Sequence, residues 1–255
     1  MTVFDGYARY YDLLYRDKDY EKEAQHVHEV IQKHRPGAST LMEMGCGTGG
    51  HALPLANRGY HVHGIDQSQA MLDQAIQRSD SLPPSVSSRL RFSRGDIREV
   101  RLQDRFDAVI ALFHVISYLP TSRDLQSAFS TAKNHLKPGG VFLFDCWYGP
   151  AVLTHPPAVR IKRMQDDATM VVRIAEPCIQ PNDNLVRVDY QLFITDRPSG
   201  HIEMLRESHR MRYLFQPEIE WLLKNSGLTI ADAFEWMTQR QPGLDTWGVC
   251  FLGIA

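Results

Sequence analysis

Residues 41–50 read Leu-Met-Glu-Met-Gly-Cys-Gly-Thr-Gly-Gly, and this stretch decides the fold. A short apolar run over residues 39–44 breaks into the glycine cluster, and residues 51–58 continue as a helix. A strand that turns through glycines into a helix lets the backbone approach a ligand closely and tolerates positive φ. The exposed N–H groups of the following helix favour a negatively charged ligand end. Gly45, Gly47 and Gly50 satisfy the GxGxxG spacing of dinucleotide folds, while Gly45, Gly47 and Gly49 satisfy GxGxG, so the glycines alone leave the ligand open.

Residues 18–34 place Tyr20, Ala24, Val27, Val30 and Ile31 on one helical face, and Pro36 with Gly37 stops that helix. Residues 60–65 predict a second strand closed by Asp66. Ser68 then caps a helix with Met71, Leu72, Ala75 and Ile76 inward. Residues 89–93 predict a third strand ending at Gly95 and Asp96. Residues 106–113 are continuously apolar, the mark of a central parallel strand covered on both faces. Thr121 with Asp124 starts a helix carrying Leu125, Ala128, Phe129, Ala132 and Leu136. Pro138, Gly139 and Gly140 end it, and residues 141–144 form the next central strand. The alternation predicts an α/β fold, a Rossmann-like doubly wound sheet.

The rhythm changes over residues 158–213, where period-two segments at 159–162, 170–174, 185–194 and 203–213 are separated by turn clusters at 181–184 and 197–200. That pattern predicts a small antiparallel meander outside the parallel sheet. Pro217 reopens the α/β pattern with a helix carrying Ile219, Leu222 and Leu223, ended by Gly227. Strands near 228–236 and 248–254 follow, and the tight loop between them requires an antiparallel last strand. The expected organisation is one domain of residues 1–157 and 214–255, interrupted by an inserted sheet, 158–213, that serves as a lid or a dimer element.

Composition narrows the function. Hydrophobic residues make up 43% and charged ones 23%, an ordinary globular balance, and the net charge of −2 lacks the basic excess that gripping a nucleic-acid backbone requires. Neither a signal segment nor a run of eighteen apolar residues appears, so the expected location is cytoplasmic, with no membrane partner. Cys46, Cys146, Cys178 and Cys250 form no CxxC pair, so neither a disulfide framework nor a metal site is expected.

Three acids bear on the ligand. Glu43 lies inside the first strand, where a carboxylate suits the amino group of a methionyl moiety and would repel a pyrophosphate. Asp66 ends the second strand, where a carboxylate bonds both hydroxyls of an adenosine ribose. Asp96 ends the third, where an acid can accept from an adenine amino group while Ile97 packs on the ring. Together they point to S-adenosylmethionine as cofactor. An NAD(P)-linked oxidoreductase shares the glycines and Asp66 but not Glu43 and Asp96, and a cofactor-binding protein without turnover would share all of them. His114 and Tyr118 follow strand four on the edge facing the ligand. His114 is the better base by its ordinary pKa, against the alternative of a hydrogen-bonded loop histidine. Tyr118 is either a catalytic group or a packing aromatic. Trp147 and Tyr148 form an acceptor wall or close the core, and Tyr7, Tyr10 and Tyr11 form a lid or one face of a helix.

These residues resemble class I methyltransferases, with residues 43–49 as motif I, Asp66 as the ribose acid, residues 95–97 as the adenine motif and Leu-Lys-Pro-Gly-Gly-Val at 136–141 after motif III. Within that superfamily the chain is most similar to bacterial N,N-dimethyltransferases of nucleotide-linked amino sugars. The matching pieces are the Tyr-rich start at residues 7–15 with Lys18 to Tyr20, residues 111–113 with Tyr118 and Leu119, and Trp147, Tyr148 and Pro150. The resemblance implies S-adenosyl-L-methionine held by Tyr15, Glu43, Gly45, Cys46, Gly47, Gly49, Asp66, Gln67, Met71, Asp96, Ile97 and Leu112. It implies a small-molecule acceptor bound by Tyr15, Tyr118, Trp147 and Tyr148, with Tyr118 beside the acceptor amine; a homodimer is kept open, as is a small-molecule O-methyltransferase. The family has Ser-Gly-Arg-Gly before the last strand, whose arginine helps hold the nucleotide. Here residues 245–248 read Asp-Thr-Trp-Gly.

Overall fold

A computed structural model of the chain describes residues 8–255, so Tyr7 lies outside the described residues. Helices α1 (Ala8–Leu14) and α2 (Tyr20–His34) precede β1 (Thr40–Met44). Then come α3 (Ala52–Asn57), β2 (His61–Asp66), α4 (Gln69–Asp80), the single turn α5 (Pro84–Ser87), β3 (Leu90–Arg94) and β4 (Phe106–Ala111). A 3₁₀ turn, Val115–Tyr118, leads to α6 (Ser122–Asn134), β5 (Leu136–Tyr148) and α7 (Gly149–Thr154). Four strands follow, β6 (Arg160–Gln165), β7 (Thr169–Gln180), β8 (Leu185–Asp196) and β9 (Ile202–Leu214), before α8 (Gln216–Asn225), β10 (Thr229–Glu235) and β11 (Gly248–Ile254).

Strands β3-β2-β1-β4-β5 are parallel in that order, β11 runs antiparallel to β5, and β10 antiparallel to β11. This is the doubly wound sheet with an antiparallel last strand that the sequence predicts. The alternation along β5 shows why both faces are covered. Phe142 and Phe144 pack with Phe129 of α6 and Leu222 of α8, while Val141 and Leu143 pack with Val27 and Ile31 of α2 and Leu55 of α3. The caps are local and legible: the Ser68 side chain accepts from Met71 N, and that of Thr121 from Asp124 N.

Several boundaries differ from expectation. Ile76 is 41% exposed, one position beyond the buried stripe of Met71, Leu72 and Ala75. Leu136 belongs to β5, which starts before Pro138 and the two glycines rather than after them. Strand β4 stops at Ala111, because Phe113 and His114 both turn to positive φ (64° each) and throw the chain off the sheet.

That departure shapes the insertion. Pairing of β4 with β5 ends at Ala111 and Phe144, and β9 then takes the vacated edge, pairing in parallel through Trp147 with Tyr213 and Tyr148 with Leu214. Strands β6 to β9 form the expected antiparallel meander, but it is joined to the main sheet rather than lying outside it. No helix among the described residues is long and apolar enough to cross a membrane.

Candidate active site

The carboxyl ends of β1, β2, β4 and β5 open into a cavity of about 920 Å³. Such a volume accommodates a cofactor with a small acceptor. Its floor is the turn after β1, where Gly45 and Gly47 adopt φ of 75° and 54°. A Cβ on Gly45 would stand 2.6 Å from the Val115 side chain, so only glycine lets the turn pass beneath the 3₁₀ segment. Asp66 faces this turn: one carboxylate oxygen accepts from Gly47 N at 2.8 Å and the other from Ser68 N at 2.9 Å. Burial raises its pKa, and the backbone N–H groups of Ser68 and Gly47 oppose that shift without cancelling it.

Of the residues singled out in the sequence, Tyr15, Gly45, Cys46, Gly47, Asp66, Gln67, Met71, Ile97, Leu112, His114, Tyr118 and Trp147 line the cavity. Four others do not. Gly49 lies beneath the turn, where its Cβ position meets Leu53. Asp96 turns its carboxylate to Arg98, whose Nε lies 2.9 and 3.0 Å from its two oxygens, so Ile97 and Arg98 face the cavity in its place. Burial alone would raise the Asp96 pKa, but Arg98 outweighs it and the net shift is downward. Tyr148 corrects the reading of an acceptor wall. Adjacent strand residues point to opposite faces, so with Trp147 in the cavity Tyr148 is buried in the core beside Ile116 and Leu214.

Glu43 is 2% exposed and sits behind the turn. Its Oε1 lies 3.6 Å from His51 Nδ1, and its Oε2 has no hydrogen-bond partner. His51 Nε2 meets Glu23 at 2.7 Å, and Glu23 in turn pairs with Lys18. Burial pulls the His51 pKa down, yet the two glutamates win and it rises; burial drives that of Glu43 up. The network places a cation-seeking carboxylate and a proton-rich imidazole under one end of the cavity. His51 lines that end and escaped the sequence reading, although it directly follows the glycine cluster.

The orphaned carboxylate oxygen of Glu43, the Gly45–Gly47 cradle and the carboxylate of Asp66 fit the ammonium and ribose ends of S-adenosylmethionine.

Helix α1 divides its aromatic residues. Tyr10 and Leu14 are buried against Val171, Leu192 and Ile194 of the inserted strands, while Tyr11 and Tyr15 line the cavity. Tyr15 accepts from Arg173 at 3.1 Å and meets Phe113 edge-on at 5.1 Å. His114 is held by Asp145, the buried carboxylate near the end of β5. Its Nδ1 lies 2.7 Å from Asp145 Oδ2, and its backbone N–H donates to both carboxylate oxygens at 3.1 and 3.2 Å. Burial would raise the Asp145 pKa, but His114 brings it down. Trp247 stands where the resemblance leads one to expect arginine. It packs on Trp147 with ring centroids 5.5 Å apart and lines the cavity.

Residues 41–140 match the family described as Methyltransferase domain. Over 88% of the chain it is 30% identical to dTDP-3-amino-3,6-dideoxy-alpha-D-glucopyranose N,N-dimethyltransferase of Streptomyces fradiae, of which it covers 84%. It is 28% identical, over 88% of the chain and 90% of the relative, to dTDP-3-amino-3,4,6-trideoxy-alpha-D-glucopyranose N,N-dimethyltransferase of Streptomyces venezuelae. Among solved structures it is similar to S-adenosylmethionine-bound CalS10, an amino pentose methyltransferase from Micromonospora echinaspora, with a TM-score of 0.74, 27% identity and coverage of 94% and 92% of the two chains. The chain belongs to the S-adenosylmethionine-dependent methyltransferases, in the family that these enzymes represent. The oxidoreductase alternative falls with that membership.

Proposed function

We propose that the chain methylates the amino group of a nucleotide-linked deoxyamino sugar. The observation that carries this reading is a single cavity running from the glycine turn to an aromatic half built by Tyr118, Trp147 and Trp247, in a chain related over most of its length to enzymes of that activity.

The cofactor supplies a methyl group already activated on a sulfonium. The chain's residues then have to align, dry and deprotonate the acceptor. Orientation alone can supply about 7–11 kcal/mol of the barrier. When the cofactor is bound, Asp66 would hold the ribose hydroxyls, Glu43 the ammonium and Ile97 the adenine face, and Asp96 would act through its hold on Arg98. Tyr15 and Trp147 position the acceptor nitrogen, with Tyr118 and His114 on either side of it. The inserted strands close the acceptor half, which favours a lid over a dimer element, and light scattering of the purified protein tests whether copies pair as well. The reading takes a sugar nucleotide as acceptor, no nucleic acid as partner and the cytoplasm as the compartment.

The test is mass spectrometry of reactions with S-adenosylmethionine and a panel of 3- and 4-amino sugars. Both nucleotide-linked and free sugars belong in the panel, because Trp247 replaces the expected arginine. A gain of one or two methyl groups supports the reading and fixes its degree. No gain, with S-adenosylhomocysteine still bound, removes the amino-sugar acceptor.

A further inference from the structure

Strand β9 reaches the acceptor half because it takes the edge of β5 that β4 vacates, and it carries Glu207 and His209 there. The two residues are two apart on a strand and so share a face. His209 is 2% exposed; its Nδ1 lies 3.0 Å from the Tyr118 hydroxyl, and its Nε2 3.0 Å from Glu207 Oε2. Tyr118 and His209 both line the cavity.

We propose that Tyr118, His209 and Glu207 form a proton relay that draws the proton from the acceptor amine. The inference rests on the amino-sugar reading above, in which the acceptor nitrogen meets Tyr118. Chemistry supplies the need for it. Each methyl transfer leaves the nitrogen positively charged, and a second transfer requires its lone pair again. The hydrogen-bond pattern fixes the direction. A carboxylate only accepts, so Glu207 keeps the imidazole proton on Nε2 and leaves the Nδ1 lone pair to accept from the Tyr118 hydroxyl. In the step, an N–H bond of the ammonium breaks and its electron pair stays on nitrogen. That proton forms a new O–H bond on Tyr118 as the phenol's own proton passes to His209 Nδ1. The positive charge ends on the imidazolium, beside the Glu207 carboxylate, whose side chain is 13% exposed and returns the proton to water.

Tyr118 hands the proton on without storing charge, since burial holds its pKa well above the ordinary phenol value. The charged and titratable groups facing the relay are Tyr11 of α1, Tyr15 just after it, Arg173 of β7 and Tyr190 of β8. The Tyr190 ring lies 4.7 Å from that of His209, and Arg173 stacks over Tyr190 at 5.3 Å. His209 and Glu207 act through Tyr118 and are positioning residues.

The experiment measures kcat and KM from about pH 6 to about pH 10, spanning the range in which an amine loses its proton. It compares the native enzyme with Tyr118→Phe, His209→Gln and Glu207→Gln, using whichever amino sugar the mass-spectrometric panel shows to be methylated. At neutral pH kcat falls roughly 10²-fold in each variant while KM stays within about threefold. The deficit closes as pH rises and the free amine no longer needs the relay. A deficit of the same size at every pH, or an effect on KM alone, overturns the proposal. Binding of S-adenosylhomocysteine reports that each variant is folded, and the near-isosteric Glu207→Gln carries the test if Tyr118→Phe fails to fold. If no amino sugar is methylated, the acceptor reading fails by itself, and nitrogen-15 spectra of the imidazoles judge the relay instead. An Nε2–H tautomer of His209 that Glu207→Gln disturbs supports it, and an Nδ1–H tautomer overturns it.

Discussion

The roles proposed for Asp66 and Glu43 rest on different physics, and each makes its own prediction. Asp66 is already committed to two backbone N–H groups, so in the proposed assignment it would meet ribose hydroxyls with its remaining lone pairs, in a fixed orientation. Hydrogen bonds to a charged group contribute about 1.5–3 kcal/mol each. Asp66→Ala is therefore expected to weaken S-adenosylhomocysteine binding by roughly two orders of magnitude in calorimetry, and unchanged affinity would sink the assignment. Glu43 works through charge. It is one of the two carboxylates that raise the His51 pKa against the pull of burial, so Glu43→Gln should move that pKa downward in an NMR titration. If the His51 titration stays put, Glu43 is not coupled to it. Residue-scale legibility was uneven for a plain reason. Asp66 and Ser68 announce themselves because strand ends and caps are local. His51 and Glu23 meet across 28 positions, and Tyr118 and His209 across 91, and no spacing rule covers either distance.

At the scale of elements, periodicity located the strands of the main sheet and the four of the insertion, but it could not say which edges they occupy. The parallel contact of β9 with β5 depends on β4 stopping short, which in turn depends on Phe113 and His114 adopting a left-handed backbone that non-glycine residues rarely show. Helix α1 also reaches the cavity, through Tyr11. It is too short to be stable alone, and its order comes from Tyr10 and Leu14 packing on β7 and β8. Leu14 is fully buried, and truncating such a leucine costs about 2–5 kcal/mol. We expect Leu14→Ala to speed hydrogen exchange in α1 and the facing inserted strands and to raise the acceptor KM, while protection of β1 and β4 persists. Equal loss of protection in β1 and β4 would mean that α1 is an integral part of the main core rather than a fastening for the cavity wall.

For the molecule as a whole, the two ends of the parallel sheet do different work. The carboxyl ends of the strands carry the ligand groups, as open α/β sheets generally do. The amino ends carry a carboxylate that lies outside the cavity. Asp107, at the start of β4, accepts from the backbone of Ser39 and Thr40 and from the Thr40 hydroxyl at 2.8 Å, and pairs with Lys137 of β5 at 3.1 Å. It thus ties the starts of three central strands together. Burial would raise its pKa, but the hydrogen bonds from Thr40, Ser39 and Lys137 bring it down to about 2 from 3.8. A depressed carboxylate contributes stability that is fully present above the ordinary value and is lost as pH falls through the folded one. Asp107→Asn should therefore lower unfolding stability by on the order of 1 kcal/mol near pH 7, after allowance for solvent screening of the partly exposed Lys137. In urea titrations the gap from the native protein should narrow from about pH 4 downward and close near pH 2. Cofactor affinity should not change, since the residue lies at the far end of the sheet from the cavity. A gap that persists undiminished at low pH would assign the loss to packing, and weakened cofactor binding would show that the two ends are coupled through the strands.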